Sequence, residues 1–242
     1  EGDNFYTIPL TSTGFVRRDV KNVWKEIPYP QRQSIQPDKD VYHRLREAFR
    51  GGDTHANRYY SGITIIEPMD SYDRKSSYPA VMCTREYPKN KLRHEGAMSV
   101  EDLEMFIFKR NTATLITVKF FDIRLKDTFF PDPYIPRSKC NEVDNPLIDN
   151  GRIISADYIE MTMTDIDYRI IKDTYIYDDI EIIDSYVSAY GLLPECLRNI
   201  IIKYFRLKTD LDGVKGEEGF YLKSKEKLNS TYGMMVQNPL NE

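Results

Sequence analysis

Cysteine and histidine are scarce, with three of each in 242 residues. Cys83, Cys140 and Cys196 lie far apart without Cys-x-x-Cys spacing, which argues against a disulfide framework or a structural zinc site and fits a reducing compartment. His43, His55 and His94 are equally scattered and read as neutral surface or core residues. No long apolar run occurs and mean hydropathy is −0.56, so neither a transmembrane span nor a secretory signal is expected, and no membrane partner. Neither sign of charge dominates: 34 Lys and Arg stand against 38 Asp and Glu, a net charge of −4. Any nucleic-acid binding must therefore come from local patches. Internal repeats and low-complexity tracts are lacking too, as is an initiator Met, and NPLNE ends the chain just after a helical pattern. The sequence reads as a piece of something longer. It is long enough for a real core, in one large or two small domains. What it has in plenty is tyrosine, 18 residues, suited to half-buried surfaces and to base or ribose stacking.

Hydrophobic spacing sets out the elements. In TGFVRRDVKNVWK (13–25), Val16, Val20, Val23 and Trp24 share one helical face. A second helix is expected from about 39 to 50, stopped by Gly51-Gly52. The β-branched run ITII (63–66) predicts a strand leading toward Asp73, interrupted by Pro79. Ser99 and Asp102 stand at capping-box spacing ahead of an apolar stripe. TVKFFDIRLK alternates, with Phe121, Ile123 and Leu125 facing one way. Between Phe129 and Asn150 lies a long loop with four prolines and little periodicity. RIISADYIEMTMT and YDDIEIIDSY read as strands, and Thr164 with Asp167 caps a helix through about Tyr177 between them. After Pro194, residues Leu197, Ile200, Ile201, Tyr204 and Phe205 mark an amphipathic helix. A turn over 210–219 leads to a last helix, roughly 220–235, so the two form a hairpin.

Two short stretches carry chemistry. DRKSSYP (73–79) sets a carboxylate at an expected strand end beside a turn with free backbone N–H groups, so a cation and an anion can be held together. KEKLNSTYG (225–233) puts Lys225, Asn229, Tyr232 and Gly233 on one helical stripe. Alone, that stretch reads first as a solvated helix end with a buried tyrosine. The alternative is a nucleotide stripe: a cation for phosphate, a ring for sugar or base, and bare backbone for close approach.

Taken together they resemble family B DNA polymerases. DRKSSYP is similar to motif A (DxxSLYP), KEKLNSTYG to motif B (KxxxNSxYG), and FRGGDTHAN (49–57) to the YxGG segment that precedes motif A. The order is the family's. The run from Met163 to Thr209 looks like the palm-to-fingers passage of the protein-primed, phage-type branch. Phe49 replaces the usual Tyr and Ser77 the usual Leu, and no motif C (YxDTD) follows motif B. The acidic runs TDID (164–167), YIYDD (175–179) and TDLD (209–212) precede motif B and are better read as caps, turns or solvated faces.

The resemblance implies an α+β fold: a palm sheet with helices, a helical-hairpin fingers element and an inserted subdomain. Residues 1–60 would be a helical segment leading toward an exonuclease domain, 61–90 and 151–190 the palm, 91–150 the insertion and 191–235 the fingers, with motif C and thumb missing. Asp73, with the backbone carbonyl of Arg74, would bind Mg²⁺ in a two-metal site that this chain leaves incomplete, so the isolated chain is expected to be inactive. Ser76, Ser77 and Tyr78 would hold the incoming nucleotide, with Tyr78 under the sugar. Lys208 and Lys225 would neutralise phosphate, and Asn229, Tyr232 and Gly233 would line the nascent base pair. Phe49, Arg50, Gly51 and Gly52 would contact DNA. Implied partners are template-primer DNA, a deoxynucleoside triphosphate and a terminal priming protein, in a cytoplasm (the host's, if phage-encoded). The Pro-rich insertion fits that priming protein and the template, or equally an ordinary surface loop. The alternative for the whole chain is a non-catalytic docking module that binds DNA or a terminal protein.

Overall fold

The computed structural model describes residues 8–52, 54, 60–126 and 132–235. Among these the helices are α1 (Ser12–Trp24), α2 (Tyr29–Ile35), α3 (Lys39–Ala48), α4 (Ser77–Thr84), α5 (Val100–Glu104), α6 (Asp165–Thr174), α7 (Glu195–Asp210) and α8 (Glu218–Met235). The strands are β1 (Glu86–Pro88), β2 (Arg93–His94), β3 (Thr112–Leu125), β4 (Cys140–Asp144), β5 (Leu147–Asp149), β6 (Arg152–Thr164), β7 (Tyr175–Ile176) and β8 (Asp179–Leu192). The chain is thus α+β, and it divides into two compact units, one from residues 1–34, 70–87 and 191–242, the other from 35–69 and 88–190. No helix among the described residues is long and apolar enough to cross a membrane.

The first unit packs α1, α4, α7 and α8 around one apolar cluster. Val16, Met82, Ile200, Ile201, Tyr204 and Leu228 are its buried members, with Val20, Val23 and Tyr232 against them. Each fully buried aliphatic side chain contributes roughly 1.5–3 kcal/mol. The helix starts follow from local chemistry: the Thr11 hydroxyl accepts from Gly14 N at 3.0 Å to cap α1, and Pro194 precedes α7. Polar contacts then fix which faces meet. Ser12 Oγ donates to Glu226 at 2.9 Å, joining α1 to α8, and Tyr204 OH donates to Asp19 at 2.7 Å, joining α7 to α1. Burial, then that hydrogen bond, raises the Tyr204 phenol pKa. Phe205, expected inside, is exposed.

The second unit is built on antiparallel strands in the order β8-β3-β6-β4, with β2 also on β8, β5 on β6 and β7 on β3. Central β3 is buried on both faces, which explains its near-continuous apolar run. Ile116, Val118 and Phe120 enter the main core with Leu103 and Ile107 of the α5 turn and Tyr168 and Ile171 of α6. On the other face Leu115 packs with Val41 and Ala48 of α3, and Thr162 Oγ1 donates to Glu47 of that helix at 2.9 Å. Asp38 caps α3 by accepting from Val41 N at 3.0 Å, and Ser99 caps α5 through Asp102 N at 3.1 Å. A π-helical turn, Met105–Lys109, extends α5.

Several expectations are corrected. Residues 63–66 form no strand: Ile63, Ile65 and Ile66 are exposed, the last at 93%. In β3 the inward-facing parity switches at Asp122, whose φ is +50°. Phe120 therefore takes the core position expected of Phe121, and Phe121 packs half-buried against the Tyr158 ring at 5.5 Å. The long 129–150 loop contains β4 and β5, both paired with β6; its residues 129–131 lie outside the described ones. The helix capped by Thr164 and Asp167 ends at Thr174 rather than near Tyr177. Residues 91–150 and 151–190 both contribute strands to one sheet, with β3 between β6 and β8, and residues 70–87 fall in the same compact unit as 191–242.

Buried carboxylates tie this sheet to α6. Asp165 accepts from the backbone N of Thr114 at 3.1 Å and from Tyr190 OH at 2.7 Å. Replacing it leaves both donors unsatisfied, so Asp165→Ala should lower unfolding free energy by about 1–3 kcal/mol in a urea titration. An unchanged midpoint and slope would mean that water replaces the carboxylate at no loss.

Candidate functional site

Motif A reaches α4 through a sharp backbone reversal. Residues 70–74 have no regular structure, and Ser76 adopts a left-handed conformation, φ +50° and ψ +46°. Its side chain makes no capping bond, and Ala80 N closes the first turn onto Ser76 O at 3.0 Å. Helix geometry then leaves the N–H groups of Ser77 and Tyr78 without intrahelical acceptors, while Pro79 has none to satisfy. Two outward N–H groups at a helix start attract an anion. Lys208, in the last turn of α7, donates from Nζ to Ser76 Oγ at 3.2 Å and adds a positive charge there. Arg74 and Lys75 are exposed beside it.

Motif B meets this turn through one aromatic contact. The rings of Tyr78 and Tyr232 stack with centroids 4.1 Å apart and an interplanar angle of 18°. Burial, and then Tyr78, raises the Tyr232 phenol pKa. The register of α8 makes this possible: Leu228 and Thr231 face the unit's core, so Lys225 and Asn229 lie exposed on the outer side. Lys225 stands seven residues before Tyr232, about 10 Å along the axis. A Cβ added at Gly233 would meet nothing within 4 Å, so no neighbour among the described residues requires glycine there.

Asp73 is exposed and makes no hydrogen bond or ion pair with the described residues, whereas Asp70 accepts from Tyr72 OH at 3.4 Å. No group of three or more His, Cys, Asp or Glu among the described residues could hold a metal. Asp73 and the Arg74 carbonyl therefore do not by themselves make a Mg²⁺ site, and the expected palm strand before Asp73 is missing.

Phe49, Arg50, Gly51 and Gly52 fall in the other unit. Arg50, expected to contact DNA, is occupied internally: Nε lies 3.2 Å from Asp167, Nη1 donates to Tyr134 O at 3.2 Å, and the guanidinium sits 4.4 Å from the Tyr134 ring centre. Tyr134 OH also donates to Asp167 at 2.5 Å, and Asp167 accepts from Thr164 N at 2.9 Å in the α6 capping box. Arg50 is thus a strut that holds the 49–52 turn. The sequence signal for its partner was Asp167 in TDID, which was legible as a cap but not as an ion pair.

The chain belongs to the DNA polymerases of type B, organellar and viral, whose family pattern matches residues 6–242. Among relatives, the DNA polymerase of Bacillus phage Nf is 25% identical over 207 residues, covering 85% of this chain and 32% of that protein. The DNA polymerase of Bacillus phage B103 is 26% identical over 209 residues, again 85% and 32%. The chain therefore spans about a third of the length of these relatives. Its fold is similar to Phi29 DNA polymerase complexed with primer-template DNA, with TM-score 0.70 and 18% identity over 96% of this chain and 37% of that one. The ternary complex of the same polymerase with primer-template DNA and incoming nucleotide gives TM-score 0.67 at 19% identity, over 96% of this chain and 37% of that one.

The Tyr78–Tyr232 stack makes a quantitative prediction. A double-mutant cycle of Tyr78→Ala and Tyr232→Ala, followed by denaturant unfolding, should give a coupling of about 0.5–1.5 kcal/mol. Additive losses would show that the two rings do not stabilise each other in solution.

Proposed function

We propose that this chain is the nucleotide-binding part of a DNA-directed DNA polymerase of the protein-primed, phage-type branch. The observation that carries the reading is the stack of Tyr78 on Tyr232, which joins the residues of the two motifs at one place, with Lys208 beside the same turn. The N–H groups of Ser77 and Tyr78 receive the triphosphate of an incoming deoxynucleotide, and Lys208 and Lys225 offset its charge. Tyr78 lies under the sugar, Tyr232 and Asn229 line the nascent base pair, and Gly233 lets it approach. The two rings part to admit the sugar and base, exchanging their mutual contact for contact with substrate. Magnesium supplies charge neutralisation at the transferring phosphate in such chemistry, and Asp73 with the Arg74 carbonyl contributes part of its ligand set.

Template-primer DNA and a terminal priming protein are the macromolecular partners. The Phe49–Gly52 turn serves the template, and the sheet unit around 88–190 serves DNA or the priming protein, in the cytoplasm of a phage host. Family membership supports the polymerase reading, as does the fold of a polymerase solved with primer-template DNA and incoming nucleotide.

The test is at the sugar. In the polymerase that contains this chain, Tyr78→Val should raise kcat/KM for ribonucleotides relative to deoxynucleotides by at least tenfold on one primer, while Tyr78→Phe should keep the discrimination. The ring, not the hydroxyl, excludes the extra oxygen. Equal loss for both nucleotides with a lowered Tm would make Tyr78 a packing residue and overturn its assignment.

A further inference from the structure

Helix α7 is anchored unevenly along its length. Leu197, Ile200, Ile201 and Tyr204 are its buried residues, and none of those that follow in the helix, 205–210, is buried. Lys208, whose Nζ donates to Ser76 Oγ at 3.2 Å, therefore stands beyond the last apolar anchor. It lies one helical turn after Tyr204, about 6 Å further along the axis and on the same face. Whatever fixes Tyr204 fixes the rotation and the height from which Lys208 reaches the turn.

That hold comes from the other end of the sequence. Tyr204 is buried in the cluster shared by α1, α4, α7 and α8, and its hydroxyl donates to Asp19 Oδ2 of α1 at 2.7 Å. The same carboxylate oxygen lies 3.9 Å from Lys203 Nζ, so α1 grips α7 at two consecutive residues. Burial, and then the bond to Asp19, raises the phenol pKa, so the hydroxyl keeps its proton and stays the donor. A hydrogen bond to a charged acceptor is among the stronger ones, and its loss would strand a buried hydroxyl.

Helix α1 is held in turn on the second helix of the hairpin. Ser12 Oγ donates to Glu226 at 2.9 Å, the Thr13 and Ser230 hydroxyls lie 3.3 Å apart, and Lys227 Nζ sits 4.9 Å from the Phe15 ring centre. Glu226 and Ser230 are next in sequence to Lys225 and Asn229. Thus α1 straps both helices, gripping α8 beside its exposed stripe and α7 one turn before Lys208. The Ser12 contact is exposed and competes with water, whereas the Tyr204 end of the strap is buried.

We propose that Asp19 is a positioning residue for nucleotide binding: through Tyr204 it fixes α7, and so sets Lys208 against Ser76 and relative to Lys225 before a triphosphate arrives. The proposal rests on the reading of Lys208 and Lys225 as phosphate contacts. Asp19 itself touches no substrate.

Steady-state incorporation by the polymerase that contains this chain, on one primer-template with the deoxynucleotide varied, tests it. Asp19→Ala should raise KM for the nucleotide roughly fivefold and leave kcat within about twofold. Asp19→Asn keeps an oxygen that accepts from Tyr204 and should restore KM, while Tyr204→Phe should raise it as Asp19→Ala does. A merely structural role would shrink the folded fraction, which lowers apparent kcat and leaves KM unmoved. Lys208→Met should raise KM by itself, and adding Asp19→Ala to it should raise KM little further, because both act at one contact. Without any nucleotide, amide hydrogen exchange over 205–210 should quicken severalfold in Asp19→Ala and recover in Asp19→Asn. Unchanged KM in Asp19→Ala beside a raised KM in Lys208→Met overturns the proposal, as does unchanged exchange over 205–210. Unchanged KM in Lys208→Met instead strikes the phosphate role assigned to Lys208, and the exchange result still decides whether Asp19 fixes α7.

Discussion

The place where the two motifs meet depends on one backbone torsion, the left-handed conformation of Ser76. It ends the irregular approach through Asp73 and starts α4 in a new direction, so that Tyr78 meets Tyr232 one residue after the helix begins. A non-glycine residue in that region costs about 1–2 kcal/mol. The hydrogen bond from Lys208 to Ser76 and the burial of Pro79 and Met82 just beyond it offset that cost. The same torsion begins α4, whose Ser77 and Tyr78 N–H groups have no intrahelical acceptors. A relaxed Ser76 would separate the carboxylate-bearing segment, the donor pair and the ring from α8. Local strain at this turn is therefore a condition of the site.

The second unit shows how buried acids can resemble a metal set in sequence and be something else in space. Asp165 and Asp167 are both buried, and each is consumed by structure. Asp165 accepts from Thr114 N and Tyr190 OH, while Asp167 closes a capping box and pairs with Arg50. Satisfying a buried carboxylate takes several donors. The donors come from β3, β8, the residues before β4 and the turn after α3, so these two side chains set how the strands and α6 fit together. The reading of TDID as a structural run follows from that accounting.

Legibility tracked how local each determinant was. The amphipathic stripes of α1, α7 and α8 and the capping pairs Ser99–Asp102 and Thr164–Asp167 are written in neighbouring residues and were readable. The stripe Lys225, Asn229, Tyr232, Gly233 was readable too, because helix periodicity decides it. The ITII run misled because β-branched residues favour strands only where a partner strand exists, and here they lie exposed. Strands β4 and β5 were hidden because they are short and carry few buried residues, so no alternation marks them. The parity switch at Asp122 could not be seen from a pattern that assumes unbroken alternation. The stack of Tyr78 on Tyr232 and the capture of Arg50 by Asp167 join residues more than a hundred apart, and nothing local announces them.

Gly233 shows what internal packing cannot explain. A glycine within a helix lowers stability by about 1 kcal/mol relative to alanine, and it is usually retained where a neighbour would clash with a Cβ. Gly219 sits in the first turn of α8 and Gly233 in its last, where the penalty is smaller than in the interior, and a Cβ at either would meet nothing within 4 Å among the described residues. Among the described residues, nothing in the packing calls for the absence of a methyl group at Gly233. The neighbouring residue, Tyr232, is the one that stacks on Tyr78. On the function proposed above, the nascent base pair passes the paired rings and lies on that bare stretch of helix backbone.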